Sequence, residues 1–475
     1  MATGGSGSRL ERVKLGLLVA SVCAAYAVLR LTLSTELRAA PWEQLLDLTA
    51  AKPFGLRVLV PLLSRTVMEW TGWSPALVFG LFEFASILAL VLTLGSILRL
   101  WIPRQHSLLF ALGFVLLLPF LYLMNFFLLP PVYYPYDTPA MVFLALGLWS
   151  VLTRRWALAL VVVVVGTLNR ETTFMIPLCA AVLLPLRRWS LGVAGALASM
   201  FAAYFLVKWG IESWMADLPA PTMRFYRMGE LRAIRNLQWL ASPVNWPVLI
   251  SNLGFTPLLW IGVSRYIPSH LRRLRYPALV LFVMAFLVGN LYEARIFGEL
   301  LLPLYIPIAV GITRWLREEP AEAPVHGASS GILRMADRFG VSLSIALIAV
   351  AVLVLFALSP APGLAPAGSG VWEGCVFLGE SGPVELSMPD GMDRVSLGGR
   401  PLLDRGSPHA TIRLHAGFFG IRIEGRDFRG LRARSRTSDA PRTLDDDLRP
   451  MLQATDARCR NAGTRLWGVH LPFLD

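Results

Sequence analysis

The stretch Leu108–Pro130, LLFALGFVLLLPFLYLMNFFLLP, contains no charged residue. A second uncharged block runs from Val341 to Leu358. A helix needs roughly 20 consecutive apolar residues to cross the hydrocarbon core of a bilayer. Both blocks therefore predict membrane-spanning helices, and they place the chain among integral membrane proteins.

The composition supports the same class. Apolar residues make up 55% of the chain and charged residues only 16%, whereas roughly a quarter of the residues of a soluble protein are charged. The formal net charge of +13 comes mostly from arginine, because lysine occurs only at Lys14, Lys52 and Lys208. Basic residues in a membrane protein orient the chain and contact lipid phosphates, so lipid, and not nucleic acid, is the predicted partner.

The apolar segments predict a helical bundle of about eleven spans. The N-terminus is short and basic, and no obvious small-residue cleavage site follows, so Leu15–Leu33 is interpreted as a retained first helix. The predicted spans cover residues 14–33, 76–98, 107–130, 138–153, 155–168, 173–187, 189–208, 246–263, 276–291, 296–316 and 339–359.

The turns between these spans alternate in basicity, which predicts the topology. One set of turns contains Arg99, Arg104, Arg154, Arg155, Arg187, Arg188, Arg265, Arg272, Arg273, Arg275, Arg314, Arg317, Arg334 and Arg338. The positive-inside rule places this set, and the N-terminus, in the cytoplasm. Residues 34–75 then lie outside, and so does the chain after the last span. Within this first outer loop, Arg57–Arg65 is too short to cross and predicts an amphipathic helix at the interface.

From Val371 onwards, short alternation replaces the long apolar blocks. Thr411–His415 and Gly420–Glu424 alternate apolar and polar residues, which predicts a β-hairpin. Further elements are predicted at Val384–Ser387 and Leu431–Arg436 (strands) and at Leu444–Ala457 (a helix capped by Thr443). We therefore expect a transmembrane domain over residues 1–359 and a small β-rich outer domain, a sandwich, over residues 360–475, joined by the linker Pro360–Gly370.

The four cysteines divide between the two predicted domains. Cys23 and Cys179 fall inside predicted spans and are interpreted as small core residues. Cys375 and Cys459 are the two cysteines of the outer domain, and a disulfide between them fits an oxidising compartment. Two free thiols are the alternative.

No motif of a soluble enzyme occurs: there is no P-loop, no HExxH, no paired CxxC and no GxSxG at a strand-to-helix turn. Ionisable residues instead gather at the outer ends of predicted spans. They are Asn169-Arg-Glu-Thr172, Tyr292-Glu-Ala-Arg295 with Glu299, Tyr133-Tyr-Pro-Tyr-Asp137, and the first-loop acids Glu36, Glu43 and Asp47. Charges near the membrane core are costly, so they tend to be paired or functional.

Two interpretations of these groups remain open. Pairs such as Glu171–Arg170 or Glu293–Arg295 could simply set the register of neighbouring helices, as could Glu83 within the second span. Convergence of all four groups on one side of the membrane favours a functional site. The outer loop Trp209–Asn245 mixes tryptophans with arginines, which either anchor the interface or hold a prenyl chain and its phosphate.

At these residues the chain resembles the GT-C superfamily of membrane glycosyltransferases. The shared features are an acidic extracytoplasmic first loop with interfacial helices, a many-helix bundle and, in several members, an outer C-terminal domain. The segments Arg57-Val-Leu-Val-Pro61, Tyr136-Asp137, Asn169-Arg-Glu-Thr172 and Glu293-x-Arg295 resemble bacterial GT-C-like proteins of unassigned substrate, over residues 10–315.

The resemblance implies an inverting transfer of a sugar from a polyprenyl-phosphate carrier. The acceptor would be a cell-envelope glycan or glycolipid on the outer face of a bacterial cytoplasmic membrane, in polysaccharide biosynthesis. It also implies a first-loop carboxylate as general base, and Glu36, Glu43 and Asp47 are all candidates because the paired acidic motif of the family is absent here. Nothing in the sequence demands a metal or another cofactor.

Cationic side chains would stabilise the departing lipid phosphate, and Arg57, Arg224, Arg227 and Arg295 are the candidates for that role. The full set of substrate-binding candidates is Arg57, Asp137, Arg170, Glu171, Arg224, Arg227, Glu293 and Arg295.

Three alternatives stay open. An O-antigen polymerase or ligase would use outer arginines on a lipid pyrophosphate without a first-loop carboxylate. A lipid or glycan transporter would be expected to contain inverted repeats and polar residues near the bilayer midplane, and no clear repeat is present. A structural assembly subunit would need no catalytic group.

Overall fold

The computed structural model describes residues 5–122, 132–184, 190–218 and 230–319, with short gaps at 35, 37–39, 242, 244 and 292. It also describes residues 226–227, parts of 344–350, and separate strands between 363 and 470. Contacts divide the chain into two compact units. The first holds the helices before residue 350, and the second holds residues 351–475 together with 226–231.

The first unit is helical. Its described helices are α1 (Gly5–Leu33), α2 (Trp42–Leu46), α3 (Leu59–Thr71), α4 (Pro75–Leu98), α5 (Arg104–Tyr122), α6 (Asp137–Leu152), α7 (Trp156–Asn169), α8 (Met175–Leu183), α9 (Leu191–Trp214), α10 (Arg232–Ala241), α11 (Asn245–Asn252), α12 (Thr256–Val263), α13 (Ser269–Arg272), α14 (Arg275–Val288) and α15 (Gly298–Leu316). Short 3₁₀ turns at Phe54–Leu56, Glu171–Phe174, Ser264–Tyr266 and Ala294–Phe297 join some of them.

Four helical segments within the described residues are long and apolar enough to cross a membrane: Val13–Leu33, Pro75–Leu98, Leu191–Trp214 and Ala294–Leu316. The pair Asn245–Asn252 and Thr256–Tyr266 would make a fifth if its 75° bend belongs to one broken span. Shorter apolar helices occur at His106–Pro119, Asp137–Leu152, Trp156–Asn169 and Glu171–Leu183. The chain is a helical membrane protein.

Serine caps begin two of the long helices. The hydroxyl of Ser74 accepts a hydrogen bond from the backbone N–H of Leu77 at 3.4 Å, and Pro75 occupies the first turn of α4, where a missing N–H needs no partner. Ser190 caps α9 in the same way, accepting from Val193 at 3.3 Å. These local signals explain why α4 begins within one residue of the predicted span 76–98.

The core of the bundle lies between closely packed apolar helices. α4 packs against α1, α5 and α6, and it turns the fully buried side chains of Ile87, Leu90 and Leu94 inward. A Cβ added at Gly147 of α6 would clash with the side chain of Ile176 on α8. Small residues allow membrane helices to approach closely, so this glycine permits the α6–α8 contact.

The segment between α1 and α4, predicted as the first outer loop, contains α2, the turn Phe54–Leu56 and α3. The amphipathic helix predicted at Arg57–Arg65 is present but runs over Leu59–Thr71, and Gly72 ends it with a φ of +69°. Its two faces differ, since Ser64 is buried whereas Trp70 is exposed. The helix therefore buries one face, although that face includes a serine and the exposed face a tryptophan.

The second unit contains strands. β1 (Tyr226–Arg227) pairs with β2 (Glu230–Leu231). The later strands are β3 (Gly363–Gly368), β4 (Val371–Leu378), β5 (Gly382–Ser387), β6 (Met392–Leu397), β7 (Arg400–Asp404), β8 (His409–Leu414), β9 (Gly417–Gly425), β10 (Arg432–Ser435), β11 (Arg442–Thr443), β12 (Arg465–Leu466) and β13 (Val469–His470). They form a five-stranded sheet in the order β3-β4-β9-β6-β7, a four-stranded sheet in the order β11-β10-β5-β8, and the pair β12-β13.

The prediction that Thr411–His415 and Gly420–Glu424 pair as a hairpin is wrong. Its two strands exist as β8 and β9, but β8 pairs with β5 whereas β9 pairs with β4 and β6. Alternation shows that a strand buries one face but does not identify its partner, and here the chain passes from one sheet to the other. The predicted helix Leu444–Ala457 lies outside the described residues.

The predicted linker Pro360–Gly370 is also different in the structure. Residues 363–368 form β3, which pairs with β4 in register Gly363–Cys375. β3 is an edge strand, the position in a sheet that tolerates proline such as Pro366. The proline and glycine content that suggested a linker therefore marks a sheet edge.

Candidate functional site

The candidate site surrounds the N-terminus of α6. Asp137 is the first residue of this helix and is fully buried, and a helix N-terminus favours a carboxylate. The backbone carbonyl of Tyr136 just before it accepts a hydrogen bond from Nδ2 of Asn169 at 3.0 Å. The start of α6 is therefore fastened to the end of α7.

Arg170 connects Asp137 to α15. It follows α7 in an extended conformation with a φ of −163°, and its side chain is 7% exposed. Its Nη1 lies 2.8 Å from Oδ1 of Asp137 and 2.8 Å from Oε1 of Glu299. The hydroxyl of Thr172 donates to the same Glu299 oxygen at 3.2 Å. One guanidinium thus holds together the start of α6, the end of α7 and the start of α15.

Arg30 brings α1 and α4 into the same arrangement. Its Nη1 lies 2.8 Å from Oε1 of Glu83 and donates to the hydroxyl of Thr138, which in turn donates to Glu83 at 2.7 Å. Its Nη2 lies 3.7 Å from Oδ2 of Asp137. The guanidinium also lies 4.1 Å from the ring centroid of Tyr122, a cation–π contact.

These contacts define the buried charge network: Arg30, Glu83, Asp137, Arg170 and Glu299. Each of the five is at most 7% exposed. Removing such charges from water costs several kcal/mol per ion, and close pairing offsets that cost. The network therefore ties α1, α4, α6 and α15 to one another and to the end of α7.

A second group, the arginine–tyrosine cluster, consists of Arg57, Arg295, Tyr134 and Tyr136. The guanidinium of Arg57 lies 4.5 Å from the ring centroid of Tyr136, and that of Arg295 lies 3.9 Å from the ring centroid of Tyr134. The two tyrosine rings are 5.7 Å apart. Two cations are therefore brought to one aromatic loop from distant parts of the chain.

The cations of this cluster are loosely paired. Arg57 Nη2 lies 3.4 Å from Oε1 of Glu171, and Arg295 Nη2 lies 3.2 Å from Oε2 of Glu293. Nε and Nη1 of Arg57, and the hydroxyl of Tyr136, are buried and have no partner in hydrogen-bonding geometry. The cluster thus retains donors that an anionic oxygen could accept from.

Burial and neighbouring charges set the ionisation of these groups. Burial raises the pKa values of Tyr134 and Tyr136, so both phenols stay neutral. Partial burial favours the neutral form of Glu171, whose side chain is 41% exposed, but Arg57 and Arg170 outweigh it and lower the pKa of that carboxyl to about 2. The cluster therefore combines two cations with neutral hydroxyls, and the adjoining Glu171 is a carboxylate near neutral pH.

A cleft that is open to solvent and has a mixed polar and apolar lining lies beside Glu171. The lining residues are Pro53, Leu56, Thr167, Glu171, Lys208, Ile211 and Glu212. Glu171 therefore lies between the cleft on one side and Arg57 on the other.

The first-loop acids form no ion pair with the arginines of the cluster. Glu36, Glu43 and Asp47 are exposed; Oε2 of Glu36 accepts a hydrogen bond from the backbone N–H of Trp42 at 3.2 Å. Among the ion pairs of the described residues, none joins these acids to Arg57 or Arg295. The acids and the cations of the proposed chemistry are thus not in direct contact.

The remaining sequence candidates fall partly or wholly outside the described residues. Arg224 and Cys459 lie outside them, and the structure gives only the backbone of Arg227, in β1, and of Cys375, in β4. The predicted disulfide therefore stays a prediction. Cys23 and Cys179 are buried free thiols. Within the described residues, no group of three or more His, Cys, Asp or Glu side chains could hold a metal ion.

Sequence reasoning did not select Arg30 or Tyr122, although both touch the centre of the network. The signal for Arg30 is a cation inside an otherwise apolar span, four positions from the start of the polar loop. The sequence gives no such signal for Tyr122, because a tyrosine within an apolar and aromatic segment is indistinguishable from an ordinary core residue.

Comparison with protein-family models, with curated proteins and with solved structures finds no match for this chain.

Proposed function

We propose that this chain is a GT-C-like glycosyltransferase of a bacterial cytoplasmic membrane. It moves a sugar from a polyprenyl-phosphate donor to a cell-envelope glycan or glycolipid on the extracytoplasmic face. In this proposal eleven spans form the bundle, the N-terminus is cytoplasmic, and residues 360–475 form a β-rich outer domain. The observation that carries the proposal is the arginine–tyrosine cluster.

The cluster has the chemistry of a phosphate site. Arg57 keeps two buried N–H-bearing nitrogens without a partner, and Arg295 lies on the neighbouring tyrosine ring. Guanidinium groups bind phosphate oxygens through charge-assisted and often bidentate hydrogen bonds. A departing lipid phosphate gains negative charge in the transition state, so fixed cations lower the barrier.

The first loop supports a base close to this site. Leu45 of α2 and Ala50 pack in one apolar group with Tyr134 and Tyr136. Glu43 and Asp47 belong to the same short helical segment and face solvent. A carboxylate there would accept the proton of the acceptor hydroxyl while the hydroxyl oxygen attacks the anomeric carbon and the bond to the lipid phosphate breaks.

One observation favours a second candidate, an O-antigen polymerase or ligase. Glu36, Glu43 and Asp47 make no ion pair with Arg57 or Arg295 among the described contacts. In that enzyme class the arginines would act on a lipid pyrophosphate and no first-loop carboxylate would be needed. The two candidates therefore differ in what the loop acids do.

Mass spectrometry of carrier lipids and envelope glycans in a deletion strain distinguishes the transferase from the polymerase or ligase. The strain is complemented with wild type, with Glu36→Gln, Glu43→Gln and Asp47→Asn singly, and with Arg57→Gln. Arg65→Gln, on the exposed face of α3 and paired with Glu69 at 2.8 Å, is the matched control. For a GT-C-like transferase, deletion of the gene removes one glycan modification and its prenyl-phosphate donor accumulates. One carboxylate variant and Arg57→Gln should each reproduce this loss while the protein is present at its normal level.

If Arg57→Gln alone reproduces the loss, the polymerase or ligase reading replaces the transferase. If the deletion leaves every glycan and carrier lipid unchanged, the proposal fails, and a transporter or an assembly subunit becomes the better reading.

A further inference from the structure

Side-chain amides fasten the chain where α14 ends. Nδ2 of Asn236, on α10, donates hydrogen bonds to the carbonyl oxygens of Phe286 at 2.7 Å and Gly289 at 3.0 Å. Its Oδ1 accepts a hydrogen bond from the backbone N–H of Leu291 at 3.1 Å. The last carbonyls of a helix find no partner within it, so Asn236 ties the open end of α14 to α10.

A second helix holds the same segment. Nδ2 of Asn252, on α11, donates to the carbonyl oxygen of Leu291 at 3.1 Å. Both asparagines are almost fully buried, and a Cβ added at Gly289 would clash with the backbone oxygen of Ala285. Buried amides that satisfy backbone groups are costly to displace. The backbone from Gly289 to Leu291 is therefore fixed by α10 and α11.

Asn290 lies in this fixed segment, and its amide has a single favourable orientation. Its Oδ1 accepts a hydrogen bond from Nη1 of Arg232, on α10, at 3.3 Å, and its Nδ2 donates to Oε1 of Glu293. A guanidinium only donates, so the oxygen of the amide faces Arg232 and its NH2 group faces Glu293. Arg232 thus decides which atom Asn290 presents to Glu293.

Glu293 transmits this orientation to Arg295. Its second oxygen, Oε2, lies 3.2 Å from Nη2 of Arg295, and that guanidinium lies 3.9 Å from the ring centroid of Tyr134. The side chains of Glu293 and Arg295 are 23% and 22% exposed, so burial alone does not fix them. Because Asn290 binds Oε1, the direction of Oε2 is defined, and Arg295 is held accordingly.

The three asparagines differ in what they hold. In the part of the chain that the structure describes, the hydrogen bonds of the Asn236 and Asn252 side chains go to backbone groups. Those of the Asn290 side chain go to two charged side chains. Asn236 and Asn252 therefore maintain the segment, whereas Asn290 connects it to a cation of the arginine–tyrosine cluster.

We propose that Asn290 is a positioning residue of the transferase: through Glu293 it holds the guanidinium of Arg295 over Tyr134, where the phosphate of the lipid donor binds. The inference rests on the proposed function and deepens it, because it places one determinant of phosphate affinity outside the arginine–tyrosine cluster. An arginine that is already held in place loses less conformational entropy on binding, so its ligand is bound more tightly.

Binding of farnesyl phosphate, a short prenyl monophosphate, to the full chain in phosphatidylcholine nanodiscs tests this. Asn290→Ala should weaken binding about tenfold and Arg295→Gln at least as much, the loss expected of one charge-assisted hydrogen bond. The double variant should bind no more weakly than Arg295→Gln, because Asn290 acts through Arg295. Farnesol, the same chain without the phosphate, measures partition into the membrane and should respond to none of these changes.

Asn245→Ala is the matched control. Asn245, on α11, donates to the carbonyl oxygen of Trp239, on α10, at 2.7 Å, and its loss should leave the affinity unchanged. Asn290→Leu keeps the shape of the side chain and removes both hydrogen bonds, so it repeats the measurement should Asn290→Ala fold poorly. A merely structural role of Asn290 would lower the melting temperature and add its loss of affinity to that of Arg295→Gln.

Two results overturn the inference while the proposed function stands, provided that Arg295→Gln still weakens binding. One is wild-type affinity in both Asn290→Ala and Asn290→Leu, and the other is a double variant whose loss equals the product of the two single losses. If Arg57→Gln and Arg295→Gln both bind farnesyl phosphate like wild type, the cluster is not the phosphate site, and the proposed function fails together with the inference.

Discussion

The buried charge network and the arginine–tyrosine cluster both contain two arginines, but they pair them differently. In the network, Arg30 and Arg170 each lie 2.8 Å from a carboxylate oxygen. In the cluster, Arg57 and Arg295 lie 3.4 and 3.2 Å from their acids and stack on tyrosine rings. Unpartnered nitrogens occur in both sets, one each in Arg30 and Arg170 and two in Arg57. What differs is the pairing: ion pairs at 2.8 Å fix helices, whereas the longer contacts of Arg57 and Arg295 restrain these side chains less. The comparison thus separates structural arginines from candidate binding arginines.

The largest expected effect comes from removing a cation of the network. Arg30→Met leaves Glu83 buried without its cation, and Asp137 with Arg170 alone, and should destabilise the fold by about 3–5 kcal/mol. Thermal unfolding in detergent measures it. Arg65→Met, which breaks the exposed pair with Glu69, should leave the melting temperature nearly unchanged, because solvent screens such a pair. Equal effects of the two variants would contradict the structural role of Arg30.

Arg57→Gln should separate activity from stability. If the cluster binds the lipid phosphate, this change lowers the rate of sugar transfer by about 10²–10³-fold, the usual effect of removing one group that stabilises transition-state charge. The melting temperature should change much less than in Arg30→Met, because Glu171 is 41% exposed and remains solvated. If the melting temperature of Arg57→Gln falls as far as that of Arg30→Met, the loss of activity would follow from lost stability, and Arg57 would be a structural residue.

Gly298→Ala tests how tightly the network is packed without changing a charge. The added Cβ clashes with the hydroxyl of Tyr122, and overpacking of this kind costs about 1–3 kcal/mol. Gly195→Ala in α9 is the matched control, because nothing lies within 4 Å of its Cβ; alanine there should stabilise by up to about 1 kcal/mol. Melting temperatures of both variants measure the difference.

The smallest expected effect is the pH dependence of the cluster. The pKa of Glu171 is lowered to about 2 from 4.5, so its pairing with Arg57 stabilises the folded state above about pH 4.5 and is lost as the pH falls towards 2. The melting temperature of wild type should exceed that of Glu171→Gln near pH 6, and the gap should narrow over that window. A gap that does not change with pH would mean that Glu171 acts by packing alone.

Part of the site was predictable from single segments. Charges at span ends are costly, which predicts paired or functional residues at Tyr136-Asp137, Asn169-Arg-Glu-Thr172 and Glu293-x-Arg295. The structure brings Asp137 and Arg170 to 2.8 Å. The predicted partners were partly different, however. Arg170 binds Asp137 and Glu299 and not its sequence neighbour Glu171, whose contact is with Arg57.

The sequence by itself determined the membrane class and the long apolar helices, because apolar length and basic flanks act within one segment. The start of α4 lies within one residue of the prediction, whereas α9 continues to Trp214, six residues beyond the predicted end at 208. It also located the strands later found as β8 and β9. Only the tertiary structure decided that these two strands join different sheets, that Arg30 belongs to the charge network, and that Arg57 and Arg295 meet on one tyrosine loop. The physical reason is that burial cost is a local property of a residue, whereas the partner that offsets it comes from a segment far away in the chain.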